Sequence, residues 1–158
     1  MTLHTIEPVW DKNSKVLILG SFPSVKSREE GFFYGHKQNR FWKVLASVCG
    51  CPVPENIQDK KKMLISNNIA VWDVIHSCDI VGSSDSSIKN VVPNDIADIV
   101  QKSDIERIFT NGKKADELYK KYIEQTVGIS AECLPSTSPA NAVWTLEKLC
   151  EEWKIIQK

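Results

Sequence analysis

The sequence has no apolar run approaching the roughly 20 residues that a membrane-spanning helix needs, and no charged leader followed by an apolar segment at its N-terminus. A cytoplasmic protein with no membrane partner is expected. Neither charge is in excess, since 20 Lys and Arg balance 20 Asp and Glu. A nucleic-acid partner is thereby neither announced nor excluded, because only a local basic face has to meet phosphates. Cysteines are few and odd in number, five in all, which suits reduced thiols rather than a disulfide framework. Only Cys49 and Cys51 lie close together, and one intervening residue without a second cluster lacks zinc or iron–sulfur spacing. No metal and no cofactor are expected. A phosphate loop ending in Gly-Lys-Ser/Thr, a GxGxxG and a GxSxG are all missing, so nucleotide hydrolysis, dinucleotide redox chemistry and esterase chemistry lose their usual signatures.

What remains is a chain of 158 residues, 42% of them apolar, a length that suits one compact domain over residues 1–158. No linker, repeat or low-complexity tract interrupts it. "KVLILG" at 15–20 is an unbroken apolar run closed by glycine, as expected of a strand buried on both faces. Further strands are predicted at "IAVWDVI" (69–75), "IERIFTNG" (105–112) and "ISAECLPS" (129–136). Helices are predicted over 39–49, where Phe41, Val44, Leu45 and Val48 recur at helical spacing, and over 57–67. Others follow in "VVPNDIADIVQKS", with Pro93 near the first turn, and near 113–126. "ANAVWTLEKLCEEWKII" reads as a closing amphipathic helix with Val143, Leu146, Leu149, Cys150, Trp153 and Ile156 on one side. Strands alternating with helices imply right-handed crossovers, a mainly parallel four-stranded sheet and helices on both faces: an α/β fold in three layers.

Ligands in such folds gather at the carboxyl ends of the strands, which directs attention to 20–38, 76–90, 111–112 and 135–141. In "GSFPSVKSREEGFFYGHKQNRFW" (20–42) a glycine turn at a strand end is followed by a polar loop crowded with aromatics. Phe41 and Trp42 have core spacing. Consecutive Phe33 and Tyr34 before Gly35 cannot all point inward, so at least one lines a pocket, and a flat π face suits a nucleobase. Asn39 heads a helix, where a cap is its ordinary role, and His36 reads equally well as a solvated loop residue. "LPSTSPANA" (134–142) places Ser136, Thr137, Ser138 and Asn141 before a helix. Ser138 with Pro139 at the first helical position would be an ordinary N-cap, yet the same geometry presents N–H groups and hydroxyls to a phosphate. Asp73 and Asp85 are candidate acids or bases; the alternatives are a satisfied buried carboxylate and an Asx turn. Lys26, Arg28, Lys37, Arg40, Lys113 and Lys114 are candidate phosphate contacts or a solvated face.

Taken in order, "VLILGSFPS", "YGHKQNRFW", "IFTNGKKA" and "LPSTSPANA" resemble the hypoxanthine-DNA glycosylase branch of the uracil-DNA glycosylase superfamily over roughly residues 13–156. The resemblance implies an αβα sandwich and a monomeric base-excision enzyme that acts without a cofactor on double-stranded DNA containing a deaminated base. In that superfamily the turn after the first strand usually reads Gly, any residue, Asp or Asn, then Pro, and the polar side chain positions the attacking water. Here the turn is Gly20-Ser21-Phe22-Pro23, with Phe22 where the polar group should be. The hypoxanthine branch is similar in this departure, and the resemblance moves the catalytic place to the Asn of NRFW, Asn39. It also places Tyr34 as the aromatic that stacks on the flipped base. Gly20, Ser21, Phe22, Pro23, Ser24 and Phe33 would line the base pocket, and Ser136, Thr137, Ser138, Asn141, Lys37 and Arg40 would meet the DNA. Two rivals stand beside this reading: a uracil or mismatch glycosylase of the same fold, and a non-catalytic module binding a nucleotide or single-stranded nucleic acid.

Overall fold

The computed structural model describes residues 1–157; Lys158, the last residue of the expected domain, lies outside the described residues. Among the described residues seven strands form two sheets. The central sheet is all parallel, in the order β3 (Ile69–Asp73), β2 (Val16–Gly20), β6 (Arg107–Asn111), β7 (Ala131–Leu134). The smaller sheet is antiparallel, in the order β1 (Thr2–Leu3), β4 (Ile75–Asp79), β5 (Lys89–Pro93). The helices are α1 (Val25–Glu30), α2 (Phe41–Cys49), α3 (Ile57–Ser66), α4 (Ile96–Gln101), α5 (Lys113–Tyr122), α6 (Glu124–Val127) and α7 (Leu146–Trp153).

The continuous apolar run of β2 is explained by cover on both sides. Val16 and Ile18 point into a core shared with α2, α3 and α7, while Leu17 and Leu19 point into a second core shared with α4 and α5. Side chains alternate across a strand, so a strand with helices on both faces carries no polar position to break the run. The two cores make the three-layer αβα arrangement, and the carboxyl ends of β2, β3 and β6 open together at one edge.

Three segments differ from expectation. The run at 69–75 is two strands: β3 ends at Asp73 and the chain turns into the second sheet. Asn94 holds that corner, its side-chain amide donating to the carbonyls of Asp73 (2.9 Å) and Ile75 (3.1 Å). Val74 and Ile75 stay fully buried through the corner, so hydrophobicity gives no sign of it. Pro93 closes β5 rather than opening a helix; α4 starts two residues after Asn94, with the Asp95 carboxylate accepting from the Asp98 N–H at 3.2 Å. The closing helix begins only at Leu146, where Thr145 caps it, accepting from the Lys148 N–H at 3.2 Å. Residues 137–145 are turns instead, and Val143, expected on the apolar side, is 80% exposed. Ser138 accepts from the Ala140 N–H and caps no helix.

Candidate functional site

The first wall of the site is the turn after β2. Gly20 pairs with Asp73 across the sheet, and a Cβ on Gly20 would sit 2.5 Å from Asp73 Oδ1 and 2.9 Å from the Tyr34 hydroxyl. Only glycine allows both side chains this close to the strand end. Ser21 donates to Asp85 Oδ1 at 3.0 Å, drawing the β4–β5 loop over the turn. Ser24 caps α1, accepting from the Ser27 N–H at 3.1 Å, and Gly31 ends that helix in the left-handed region. This short helix inside the 20–38 loop has too few apolar residues to be seen by periodicity.

The aromatic loop divides its labour. Phe32, Phe33, Phe41 and Trp42 are buried; Phe32 stacks on Trp42, and the Trp42 indole N–H donates to the Phe33 carbonyl at 3.2 Å. Tyr34 is turned the other way by a φ of +52°, a conformation that costs a bulky residue about 1–3 kcal/mol and concentrates at functional sites. One ring face packs on Phe41, with centroids 3.9 Å apart and planes 18° from parallel. Its hydroxyl is buried and, among the described residues, has no well-formed hydrogen bond, Asn111 being the polar side chain beside it. Burial first, then the neighbouring charge of Asp73, raises the phenol well above its ordinary pKa.

Opposite lies the 136–145 loop, joined to Asn39 by an ordered chain of hydrogen bonds. The Thr137 N–H donates to Asn111 Oδ1 (3.1 Å), which fixes Asn111 Nδ2 as donor to Thr137 Oγ1 (3.0 Å). The Thr137 hydroxyl therefore spends its own proton on Asn39 Oδ1 (2.9 Å), which also accepts from the Phe41 N–H (2.9 Å). Thr137 is fully buried. The Asn39 amide is thus oriented at its oxygen, and its Nδ2 has no hydrogen-bond partner among the described residues. Arg40 binds the same loop from below: its guanidinium donates to the carbonyls of Thr137, Ser138, Asn141 and Trp144. Those N–H groups face inward to the loop. Asn141 donates to the Ser136 carbonyl at 3.0 Å and also serves the loop.

Two carboxylates complete the site. Asp73, 3% exposed, accepts at Oδ2 from His4 Nε2 at 2.8 Å. Asp85 is exposed at the rim, yet loss of water around its carboxyl raises its pKa, an effect partly offset by the Ser21 hydrogen bond and by Lys114. Arg28 donates to the carbonyls of Pro23 and Gly82 and so ties the β4–β5 loop to α1. Lys26 pairs with Glu30 at 3.5 Å.

These walls enclose a cavity of about 390 Å³. Its lining brings together Gly20, Ser21, Phe22, Pro23, Ser24, Phe33, Tyr34, Asn39, Ser136, Thr137 and Ser138, while Lys37, Arg40 and Asn141 lie outside it. Asp73, Asp85 and Asn111 also line it. No group of three His, Cys, Asp or Glu side chains with metal-binding geometry occurs among the described residues. No described helix is long and apolar enough to cross a membrane.

An αβα sandwich with an aromatic-walled cavity at its strand ends can receive a flat base, and comparison with known proteins identifies the family. Residues 8–158 match the family model described as the uracil DNA glycosylase superfamily. The chain belongs to that superfamily and is a DNA glycosylase. It is 34% identical over 154 residues to a hypoxanthine DNA glycosylase of Methanosarcina acetivorans, covering 94% of this chain and 93% of the relative. It is 33% identical over 136 residues to a hypoxanthine DNA glycosylase of Methanosarcina barkeri, covering 85% of each. Among solved structures, an NMR structure from M. acetivorans, described as a candidate uracil DNA glycosylase, superimposes with a TM-score of 0.80 at 29% identity over 97% of each chain.

Proposed function

We propose that the protein is a monofunctional glycosylase, a single-domain cytoplasmic monomer, that removes hypoxanthine from double-stranded DNA by hydrolysing the N-glycosidic bond. The observation that carries the catalytic reading is the orientation of Asn39: an amide whose oxygen is held by Thr137 and Phe41 and whose Nδ2 has no hydrogen-bond partner among the described residues, in a cavity where Phe22 replaces the usual polar side chain. The target nucleotide leaves the stack at a cost of a few kcal/mol, least for a mispaired base. Its base enters the cavity against the face of Tyr34 that Phe41 does not cover. Cleavage passes through an oxocarbenium-like sugar, and so dissociative a transition state asks little of the nucleophile. Water needs orientation rather than deprotonation, and positioning alone is worth several kcal/mol. Asn39 Nδ2 supplies it by donating to one lone pair of the water while the other faces C1′.

The base departs as an anion delocalised over its ring. Ser138 Nα donates to Ser136 Oγ, and Ala140 Nα to Ser138 Oγ, so both hydroxyl protons are free for that anion, together with N–H groups of the 21–24 turn. Ser136, Thr137 and Ser138 form the loop that braces the gap left in the duplex, and exposed Lys37 meets a phosphate. Identical duplexes carrying one deoxyinosine, deoxyxanthosine or deoxyuridine, incubated with the protein and then cleaved in alkali at abasic sites, test the reading. Strand cleavage is expected with deoxyinosine; cleavage confined to deoxyuridine would favour the uracil enzyme, and none at all a binding module.

A further inference from the structure

The mechanism above gives no role to Asp73, the buried carboxylate that lines the cavity. Asp73 is held from behind: Oδ2 accepts from His4 Nε2, both side chains being nearly inaccessible to water. Oδ1 has no hydrogen-bond partner among the described residues, and Asp73 lines the cavity beside the Tyr34 hydroxyl. His4 is itself fixed. The Ile6 N–H donates to His4 Nδ1 at 3.3 Å, so the ring proton resides on Nε2 and His4 can only donate to Asp73. The N-terminal segment that carries His4 is in turn docked on β4, the His4 N–H donating to the His76 carbonyl at 2.7 Å.

We propose that His4 is a positioning residue whose fixed tautomer makes Asp73 Oδ1 a pure acceptor, and that this acceptor selects a base with a proton on N1. The inference rests on the glycosylase reading of the same cavity. Adenine and hypoxanthine have nearly the same shape. They differ on the edge that base pairing uses: N1 of hypoxanthine carries a proton, whereas N1 of adenine carries a lone pair. A carboxylate oxygen accepts from the first and repels the second, and the buried setting strengthens both effects. A site that pairs with a substrate N–H rejects the analogue lacking it far more strongly than an apolar pocket rejects a change of shape. Xanthine shares the N1 proton and passes the same filter.

The His4 lock makes a specific demand on an amide at position 73. In Asp73→Asn the side-chain oxygen must turn to His4 Nε2–H, so the NH₂ faces the cavity and offers a donor where an acceptor stood. Preference for hypoxanthine over adenine should then fall or invert. Adding His4→Gln releases the lock, because glutamine can accept as well as donate, and lets the amide turn its oxygen back to the base.

The experiment measures inhibition of single-turnover cleavage, and direct binding by NMR line broadening, with free hypoxanthine, adenine and 1-methylhypoxanthine. The parent should prefer hypoxanthine to either competitor by about tenfold or more, the size expected when a hydrogen bond to a charged acceptor is lost. Asp73→Asn should lower the hypoxanthine-to-adenine ratio by about tenfold or more, and Asp73→Asn/His4→Gln should restore part of it. A ratio taken on one preparation does not depend on the fraction folded, so a merely structural role for His4 or Asp73 would leave it unmoved. Equal affinity for 1-methylhypoxanthine in the parent, no hypoxanthine binding at its solubility limit, an unchanged ratio in Asp73→Asn, or no recovery in the double variant would each overturn the proposal. A protein that cleaves deoxyinosine yet fails these tests loses only this selection mechanism; one that binds hypoxanthine selectively but leaves the duplex intact loses the glycosylase reading.

Discussion

Replacing Asn39 separates catalysis from architecture, because the amide proposed to orient water is also a structural hydrogen-bond acceptor. Asn39→Ala removes the acceptor of the Phe41 N–H at the start of α2 and of the buried Thr137 hydroxyl. The first loss resembles that of a helix cap, about 1 kcal/mol; the second leaves a buried donor unpaired, about 1–3 kcal/mol. A total of about 2–4 kcal/mol lowers the Tm of a chain this long by about 5–15 °C. If Nδ2 also orients water, the single-turnover rate on deoxyinosine, measured well below that Tm, should fall by about 100-fold or more, with DNA affinity nearly unchanged. Asn39→Asp keeps both acceptors, so its Tm should stay close to the parent's, and some activity should survive because a carboxylate still holds water. Asn39→Ser retains a short cap but does not reach the sugar, and it should be as slow as the alanine variant. Calorimetry and quenched single-turnover assays on the three proteins give the answer. An Asn39→Ser protein that cleaves as fast as the parent would refute the catalytic role and turn attention to Asp73 and Asp85.

Four further outcomes are expected. Tyr34→Phe removes a buried hydroxyl that has no well-formed hydrogen bond and should melt no lower than the parent while keeping most activity, whereas Tyr34→Ala should lose roughly 1–3 kcal/mol of base stacking; equal loss in both, with folding unchanged, would assign the work to the hydroxyl. Gly20→Ala forces a methyl to within 2.5 Å of Asp73 Oδ1 and should cost about 1–3 kcal/mol of stability and most of the activity, so a fully active, equally stable variant would contradict the described packing. Asp85 has a raised pKa, so its charge disfavours the folded state above that pKa; Asp85→Asn should melt higher than the parent at neutral pH, and the difference should close as pH falls through the carboxylate range, whereas a gap that widens toward acid would reverse the sign. Cleavage should survive a chelator, and borohydride should trap no covalent protein–DNA adduct, since water rather than an amine is the proposed nucleophile; a trapped adduct would end the monofunctional reading.

The parallel sheet was legible because burial on both faces leaves an unmistakable run, as at Val16–Leu19. The corner at Val74 was not, because both sheets bury their apolar residues alike. The 140–145 stretch, expected as the start of the closing helix, is loop for a related reason: Val143, Leu146 and Leu149 keep helical spacing, but Arg40 captures the loop's carbonyls before they can enter a helix. Phe33 and Tyr34 could be singled out because loop aromatics stand out locally, whereas Asn39 read locally as a helix cap and only the family resemblance pointed to it. His4 could not, since it meets Asp73 from 69 positions away and a lone histidine near a terminus carries no signal. Arg40 carries the most ambiguous signal of all, for a phosphate and a ring of carbonyls attract the same guanidinium.

The link from Asn39 through Thr137 to Asn111 spans 98 residues of sequence in its first bond and 26 in its second. The amide therefore acquires its orientation only after β6 has joined the sheet and the loop that follows β7 has settled against it. If Asn39 is the catalytic amide, an early, locally stabilised intermediate should be inactive, because loop closure over such distances comes late. Refolding followed by fluorescence should run ahead of recovered cleavage, and mild denaturant should silence the enzyme by releasing the 136–145 loop while the sheet still stands. On that reading, activity reports that the fold is complete.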